Sequence, residues 1–221
     1  MARKSNHKNS NTPRDVRERL LQEATRLFAQ NGFEGTSIQA IADAVGIRKP
    51  SLLYHFSSKD ELRTAVTQQL LGHWQAELPR LLSAATDEQD RFSSTITAVV
   101  EFFREDANRA TLVLREVLDR PAEIRELIEG HLRPWTKLVA DYIRLGQRLG
   151  VVRPGVDPEA YIIQVIMMVL GTVATGGVAQ AIFPLERPES AAGPNALDAK
   201  IAELVRIARD ALFVNPDAKQ T

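Results

Sequence analysis

The 221-residue chain is predicted to be all-α, and three observations predict it. Apolar residues recur at three- and four-residue spacing along almost the whole length. No segment makes a convincing strand. Helix-start and helix-stop residues fall at the ends of the periodic segments. About nine helices are expected, grouped as a small N-terminal three-helix unit followed by a larger helical domain.

Each element is justified by its own residues. Val16, Leu20, Ala24, Leu27 and Phe28 share one helical face, and Asn31-Gly32 is a helix stop. Thr36 and Gln39 have capping-box spacing, so the second helix starts near Ser37, with Ile38, Ile41, Ala42 and Val45 as its apolar face. Gly46 ends it. A short helix around Lys49–His55 follows, with Pro50 tolerated in its first turn. Ser58 and Glu61 repeat the capping-box spacing and open a long helix from about Lys59 to Ala84, in which Pro79 lies near the end. Phe92, Ile96, Val99, Val100 and Phe103 form the next stripe, and Leu112, Val113 and Val117 a shorter helix. Pro121 opens one longer helix whose buried side carries Ile124, Leu127, Ile128, Leu132, Trp135, Leu138, Val139 and Tyr142. Gly150 and Pro154-Gly155 break it. Asp157-Pro158 is an N-cap followed by a first-turn proline. Residues 187–194 read as a loop. Leu197, Ile201, Leu204, Val205, Ala208 and Leu212 make the last stripe, ended by Asn215-Pro216.

Composition narrows the class. There is no cysteine, hence no disulfide framework, thiolate metal site or cysteine nucleophile. The net charge is zero, but residues 1–65 hold eleven Lys/Arg against seven Asp/Glu, and the remainder seventeen against twenty-one. A basic N-terminal segment favours a local anionic partner. Residues 1–13 carry Arg3, Lys4 and Lys8 without an acid and are expected to be a disordered basic arm, not a secretory signal. Ala160 to Leu185 is 26 residues without a charge, long enough to span a bilayer. Gln164, Gln180, three glycines and acidic flanks favour instead a helix buried in a core or interface. A cytoplasmic protein without a membrane partner is expected. Phosphate-binding glycine loops, nucleophile elbows and paired-histidine metal motifs are missing, and the four histidines are scattered. No enzyme activity, metal or cofactor is expected.

The second and third helices form a bihelical unit of the kind that docks in a major groove. Ala42 allows close approach, Gly46 the sharp turn, and Ile41, Val45, Ile47 and Leu52 clamp the two helices, with Phe56 anchoring the end. Arg48, Lys49, Ser51, Tyr54 and His55 remain to face outward, the composition of a groove-reading helix. The segment from Gly32 to Leu62, GFEGTSIQAIADAVGIRKPSLLYHFSSKDEL, closely resembles the DNA-binding region of the TetR (tetracycline repressor) family.

The resemblance implies the following. Thr36 and Ser37 begin the second helix at a phosphate, Lys49, Ser51, Tyr54 and His55 lie on the recognition helix, and Lys59 starts the fourth helix near the DNA backbone. Arg48 and Leu52 complete the DNA-binding set. This chain departs from the pattern in three places. Arg48 stands where a serine cap is common, Pro50 removes a backbone N–H, and Leu53 replaces a tyrosine. Which of Tyr54 and His55 reaches bases is therefore left open. The expected layout is an arm (1–13), a helix-turn-helix domain (14–65), an effector-binding and dimerisation domain (66–215) and a tail (216–221).

A two-fold homodimer on a palindromic double-stranded operator is expected, joined through Ile166, Val169, Val173, Gly176, Leu197, Ile201, Leu204 and Ala208. A small apolar or amphipathic effector would lie among Trp74, Phe102, Phe103, Arg115, His131, Trp135, Tyr142, Gln164, Met167 and Met168. The functional expectation is a repressor released from its operator by that effector. The alternative is a non-catalytic dimeric interaction protein that binds DNA weakly and without sequence preference.

Overall fold

The structure, a computed structural model, describes residues 13–85, 87–176, 178 and 196–214. Ten helices are present among the described residues: α1 (Pro13–Asn31), α2 (Ile38–Val45), α3 (Lys49–His55), α4 (Lys59–Ala84), α5 (Glu88–Glu105), α6 (Ala107–Asp119), α7 (Pro121–His131), α8 (Arg133–Arg148), α9 (Pro158–Thr175) and α10 (Ala196–Leu212). Among the described residues the only extended pairing is a single antiparallel bridge, Val152 to Phe213. The expected arm apart from Pro13, the loop at 187–194, the stop at Asn215-Pro216 and the tail lie outside the described residues.

Two compact units meet between Gln69 and Leu70, inside α4. In the first, α1 packs on α2 and α2 on α3. Leu20, Ala24, Phe28, Ile41, Ala42, Leu52, Phe56, Leu62 and Val66 are essentially fully buried and form its core. In the second, α9 packs against α5, α6, α8 and α10, and α6, α7 and α8 contact one another in sequence.

The single long helix expected from Pro121 is two. α7 ends at His131, Leu132 is the joint, and α8 starts at Arg133 with Pro134 in its first turn. A proline has no N–H to donate and its ring clashes with the carbonyl four residues earlier, so one helix becomes two. Apolar spacing runs unbroken across the joint, which is why periodicity merges them. The uncharged helix is likewise shorter than the uncharged run. It opens as expected, with the Asp157 side chain accepting from the Ala160 N–H, and closes at Thr175 on Gly176, whose φ is +41°.

A clasp closes the second unit. Gln147 Nε2 donates to the carbonyls of Arg153 (3.1 Å) and Val156 (2.7 Å), shaping the α8–α9 loop. Arg153 N donates to Leu212 O and Val214 N to Val151 O, and Ile143, Val152, Leu212 and Phe213 bury one another beneath. The Tyr161 hydroxyl donates to Ala208 O at 2.7 Å, and burial raises its pKa. An Arg104–Asp198 ion pair (2.7 Å) links α5 to α10.

Candidate nucleic-acid interface

The turn before α2 is forced by local sterics. A Cβ added to Gly35 would stand 2.4 Å from the Asn31 carbonyl oxygen, so only glycine fits without moving backbone. Thr36 is buried, and its hydroxyl bonds to the carbonyls of Leu27 (3.1 Å) and Gly32 (2.8 Å). Two expectations are corrected here. Thr36 neither caps α2 nor presents its side chain to a phosphate, because its hydroxyl is committed to the end of α1. The N-cap is Ser37, extended, with Oγ accepting from Ala40 N at 3.0 Å, and it stays exposed. Gln39 donates to Asp43 instead of returning to the cap.

The turn between α2 and α3 rests on Gly46 at φ +76°, a conformation that costs glycine nothing. Ile47 N donates to Ala42 O at 3.0 Å, and Arg19 of α1 donates to Val45 O, satisfying the carbonyl end of α2. α3 then begins at Lys49, after the N-cap Arg48, whose side chain makes no capping bond. Leu52 is fully buried, as its role as a clamp requires. Its place among the DNA-contacting side chains is corrected, since no part of it is open to a ligand. Arg48, Lys49, Pro50, Ser51 and Tyr54 are exposed, Tyr54 at 85%. His55 is half-buried and meets the Tyr54 ring edge-on at 5.5 Å. Two cations, a hydroxyl and a phenol thus stand on the solvent side of one short helix whose other side is the core. Such a surface neutralises phosphates and offers donors to base edges.

Lys59 is placed differently from the expectation. Its ammonium points back into the unit, donating to Phe33 O (2.8 Å) and Thr36 O (3.1 Å), and lies 4.1 Å from the centre of the Phe33 ring. Arg63, buried, lies over the same ring at 4.3 Å. The start of α4 is capped by Ser58 Oγ, which accepts from Glu61 N (3.0 Å). The Glu61 carboxylate accepts from the Ser57 hydroxyl and N–H, which lower its pKa. Sequence reasoning missed Arg17, exposed on α1, whose guanidinium carbon is 5.0 Å from the Phe56 ring at the end of α3. Helical spacing puts Arg17 on an outer face, but nothing local pairs that face with α3.

In the second unit the expected effector residues separate. Trp74, Phe102 and Phe103 come together, buried, with Trp74–Phe102 and Phe102–Phe103 both edge-on at 5.0 Å. His73 and Arg109 join them unforeseen. The imidazole stacks on Phe102 at 4.4 Å, and Arg109 lies 4.5 Å from the Phe102 ring centre while donating to its carbonyl at 2.6 Å. His73 itself stays exposed, and partial desolvation holds its pKa below the ordinary value. Glu77 opposes that shift, Arg109 adds to it, and Glu105 opposes it more weakly. Tyr142 lies under Arg91 at 4.5 Å. His131 Nδ1 is 2.9 Å from Leu127 O, and Arg115, Trp135 and Met168 are half-buried. Gln164 and Met167 are corrected, because both face solvent on α9 rather than an interior.

The expected dimer residues divide in the same way. Val169, Val173, Leu204 and Ala208 are buried inside the chain's own core, a correction, while Ile166, Gly176, Leu197 and Ile201 are half-buried. The exposed positions of α9 are Glu159, Ala160, Ile163, Gln164, Met167 and Thr175, with Ile163 56% exposed. By length and composition α9 is apolar enough to cross a membrane, yet one of its faces is packed on four other helices. A helix apolar on every side gives no periodicity from which to choose its outward face.

A small helical unit that buries one side of a short basic helix and exposes the other defines a helix-turn-helix protein. The chain belongs to the TetR family. Residues 20–66 match the family described as bacterial regulatory proteins, tetR family, and residues 89–205, more than half of the chain, match the tetracyclin repressor-like C-terminal domain. The transcriptional activator FasR of Mycolicibacterium smegmatis is 32% identical over 62% of this chain and 64% of its own length. The transcriptional repressor KstR2 of the same organism is 26% identical over 66% of this chain and 72% of its own. The match thus spans slightly less than two thirds of FasR. The solved structure of the ketosteroid transcriptional regulator KstR2 of Mycobacterium tuberculosis superposes with a TM-score of 0.67 at 22% identity, covering 90% of this chain and 95% of that one. These relatives are transcription regulators rather than enzymes.

Proposed function

We propose that the chain is a cytoplasmic, sequence-specific regulator of transcription that binds a palindromic operator as a homodimer and is released by a small apolar or amphipathic effector. The observation that carries this reading is the outer face of α3, where Arg48, Lys49, Ser51 and Tyr54 are exposed while Leu52 and Phe56 fix the helix from behind. Ser37 at the N-terminus of α2 supplies a further phosphate contact, favoured by the helix dipole.

Dimerisation uses the exposed stripe of α9 with the outer face of α10, where Ile207 is 44% exposed. The effector lies beside the Trp74–Phe102–Phe103 cluster and acts only if it prefers the DNA-incompetent state. The reading takes the regulator as a repressor, and KstR2 is named one. FasR is named an activator, so the sign is read from transcription in a strain lacking the gene.

The test is selection of the purified protein against a pool of randomised duplexes. An enriched inverted repeat supports the reading. A folded protein that enriches no site overturns it and favours the interaction protein with weak, non-specific DNA binding.

A further inference from the structure

Lys59 sits at the first turn of α4, directly after the recognition helix, yet its ammonium turns away from the outer face of α3. Two of its three N–H donors go to Phe33 O and Thr36 O, residues 26 and 23 positions earlier, and the same ammonium lies over the Phe33 ring. Those carbonyls belong to the turn that delivers Ser37, the N-cap of α2. The far side of that turn is also fixed, by the Thr36 hydroxyl on Leu27 O and Gly32 O. Arg63, one helical turn further along α4, lies over the same Phe33 ring at 4.3 Å and is itself buried.

We infer that Lys59 is a positioning residue for DNA binding: with Phe33 and Arg63 it ties the turn before α2 to the segment after α3 and so sets both groove-facing ends of the helix-turn-helix. The inference rests on the DNA-binding reading above. A lysine half-buried on two carbonyls and an aromatic face is a poor phosphate ligand, because reaching outward breaks charge-assisted bonds already made. It is a good strut, because both bonds and the ring contact span a long stretch of chain. Phe33, an uncharged residue with no reason to touch DNA, becomes as important to binding as the lysine.

The experiment measures affinity for the enriched duplex across a series of salt concentrations, for the parent, Lys59→Met, Phe33→Leu, Phe33→Tyr and the double variant Lys59→Met/Phe33→Leu. Helicity is followed by circular dichroism in each. A strut predicts that Lys59→Met and Phe33→Leu each lower affinity at least about tenfold. It also predicts that Phe33→Tyr, which keeps the ring, binds like the parent, and that the double variant is no weaker than the weaker single. The slope of log affinity against log salt stays at the parent's value. A lysine that holds a phosphate gives the opposite pattern: Lys59→Met flattens the slope by about 0.9 for each phosphate it no longer neutralises, and Phe33→Leu binds normally. That pattern overturns the inference, as does normal binding by both single variants. If Lys59→Met does not fold, Lys59→Gln takes its place and is read by the same affinity and salt slope, because the Phe33 ring also packs on Phe28 and cannot decide alone. A parent that enriches no duplex removes the DNA-binding reading itself, and the inference with it.

Discussion

At the scale of single residues the recognition helix carries the sharpest test. Lys49 and Tyr54 are exposed and make no contribution to the core, so Lys49→Ala and Tyr54→Ala leave helicity and melting temperature unchanged. Each lowers affinity for the selected duplex by about 1–3 kcal/mol if it reads a base, and Lys49→Ala flattens the salt dependence if it holds a phosphate. Normal affinity in both would remove α3 as the reading element. Leu52, one position after Ser51, is the internal control. Leu52→Ala opens a cavity in the first unit and costs about 2–5 kcal/mol of stability, seen as a lower denaturation midpoint. Sequence spacing alone makes Leu52 a clamp between α2 and α3, and its complete burial removes it from the DNA-contacting set. Thr36 and Lys59 teach the same lesson. Their side chains are polar and suitably placed along the chain, yet carbonyls from the α1–α2 connection claim both.

His73 adds a pH dependence. Its pKa is lowered in the folded protein, chiefly by partial desolvation of a ring that stacks on Phe102 yet stays exposed at its edge, so the unfolded chain binds the proton more tightly. The associated stability is present above the ordinary imidazole value of about 6.5 and is lost as pH falls through the lowered folded value. The melting temperature of the second unit therefore drops as pH is taken below about 6.5. His73→Phe, which keeps a ring against Phe102, removes that part of the drop. Thermal melts at several pH values, followed by the fluorescence of Trp74 and Trp135, read this directly, and equal slopes in the two proteins would refute it.

At the scale of elements, caps and breakers explain the boundaries. α4 runs over Lys59–Ala84 as its capping box predicts, with the Ser58 hydroxyl on Glu61 N. Ser37 and Asp157 cap α2 and α9 in the same manner. Such signals are legible because each rests on two or three neighbouring residues. The joint between α7 and α8 is not, because Pro134 sits in a continuous apolar pattern and a proline that opens a helix looks the same there as a tolerated one. Gly35 gives the prediction for this scale. Gly35→Ala forces its new Cβ against the Asn31 carbonyl, so the turn must shift, at about 1–3 kcal/mol, the usual cost of overpacking. The loss appears as a lower denaturation midpoint together with weaker DNA binding, since the turn delivers Ser37. Gly72→Ala, where the added carbon meets open space on α4, raises or preserves the midpoint.

At the scale of the whole molecule the proposed dimer turns on which side of α9 faces outward. Composition marks α9 as apolar but not its outward face, because Val169 and Val173 are as apolar as Ile163 and Met167. Packing separates the two. Val165, Val169, Leu170 and Val173 are buried in the chain itself, while Ile163 and Met167 stand out on the opposite stripe. A carboxylate at Ile163 or Met167 therefore costs little in an isolated chain but is strongly unfavourable inside an apolar interface. Ile163→Glu/Met167→Glu is expected to give a folded, helical monomer by sedimentation equilibrium, while Val169→Glu fails to fold. Because a dimer reads two half-sites together, the monomer also loses affinity for an inverted repeat far more than for a single half-site. A double variant that remains dimeric would place the interface elsewhere. If the parent instead needed detergent to leave the membrane fraction and the variant did not, the stripe would be facing lipid, and the dimer reading would fall.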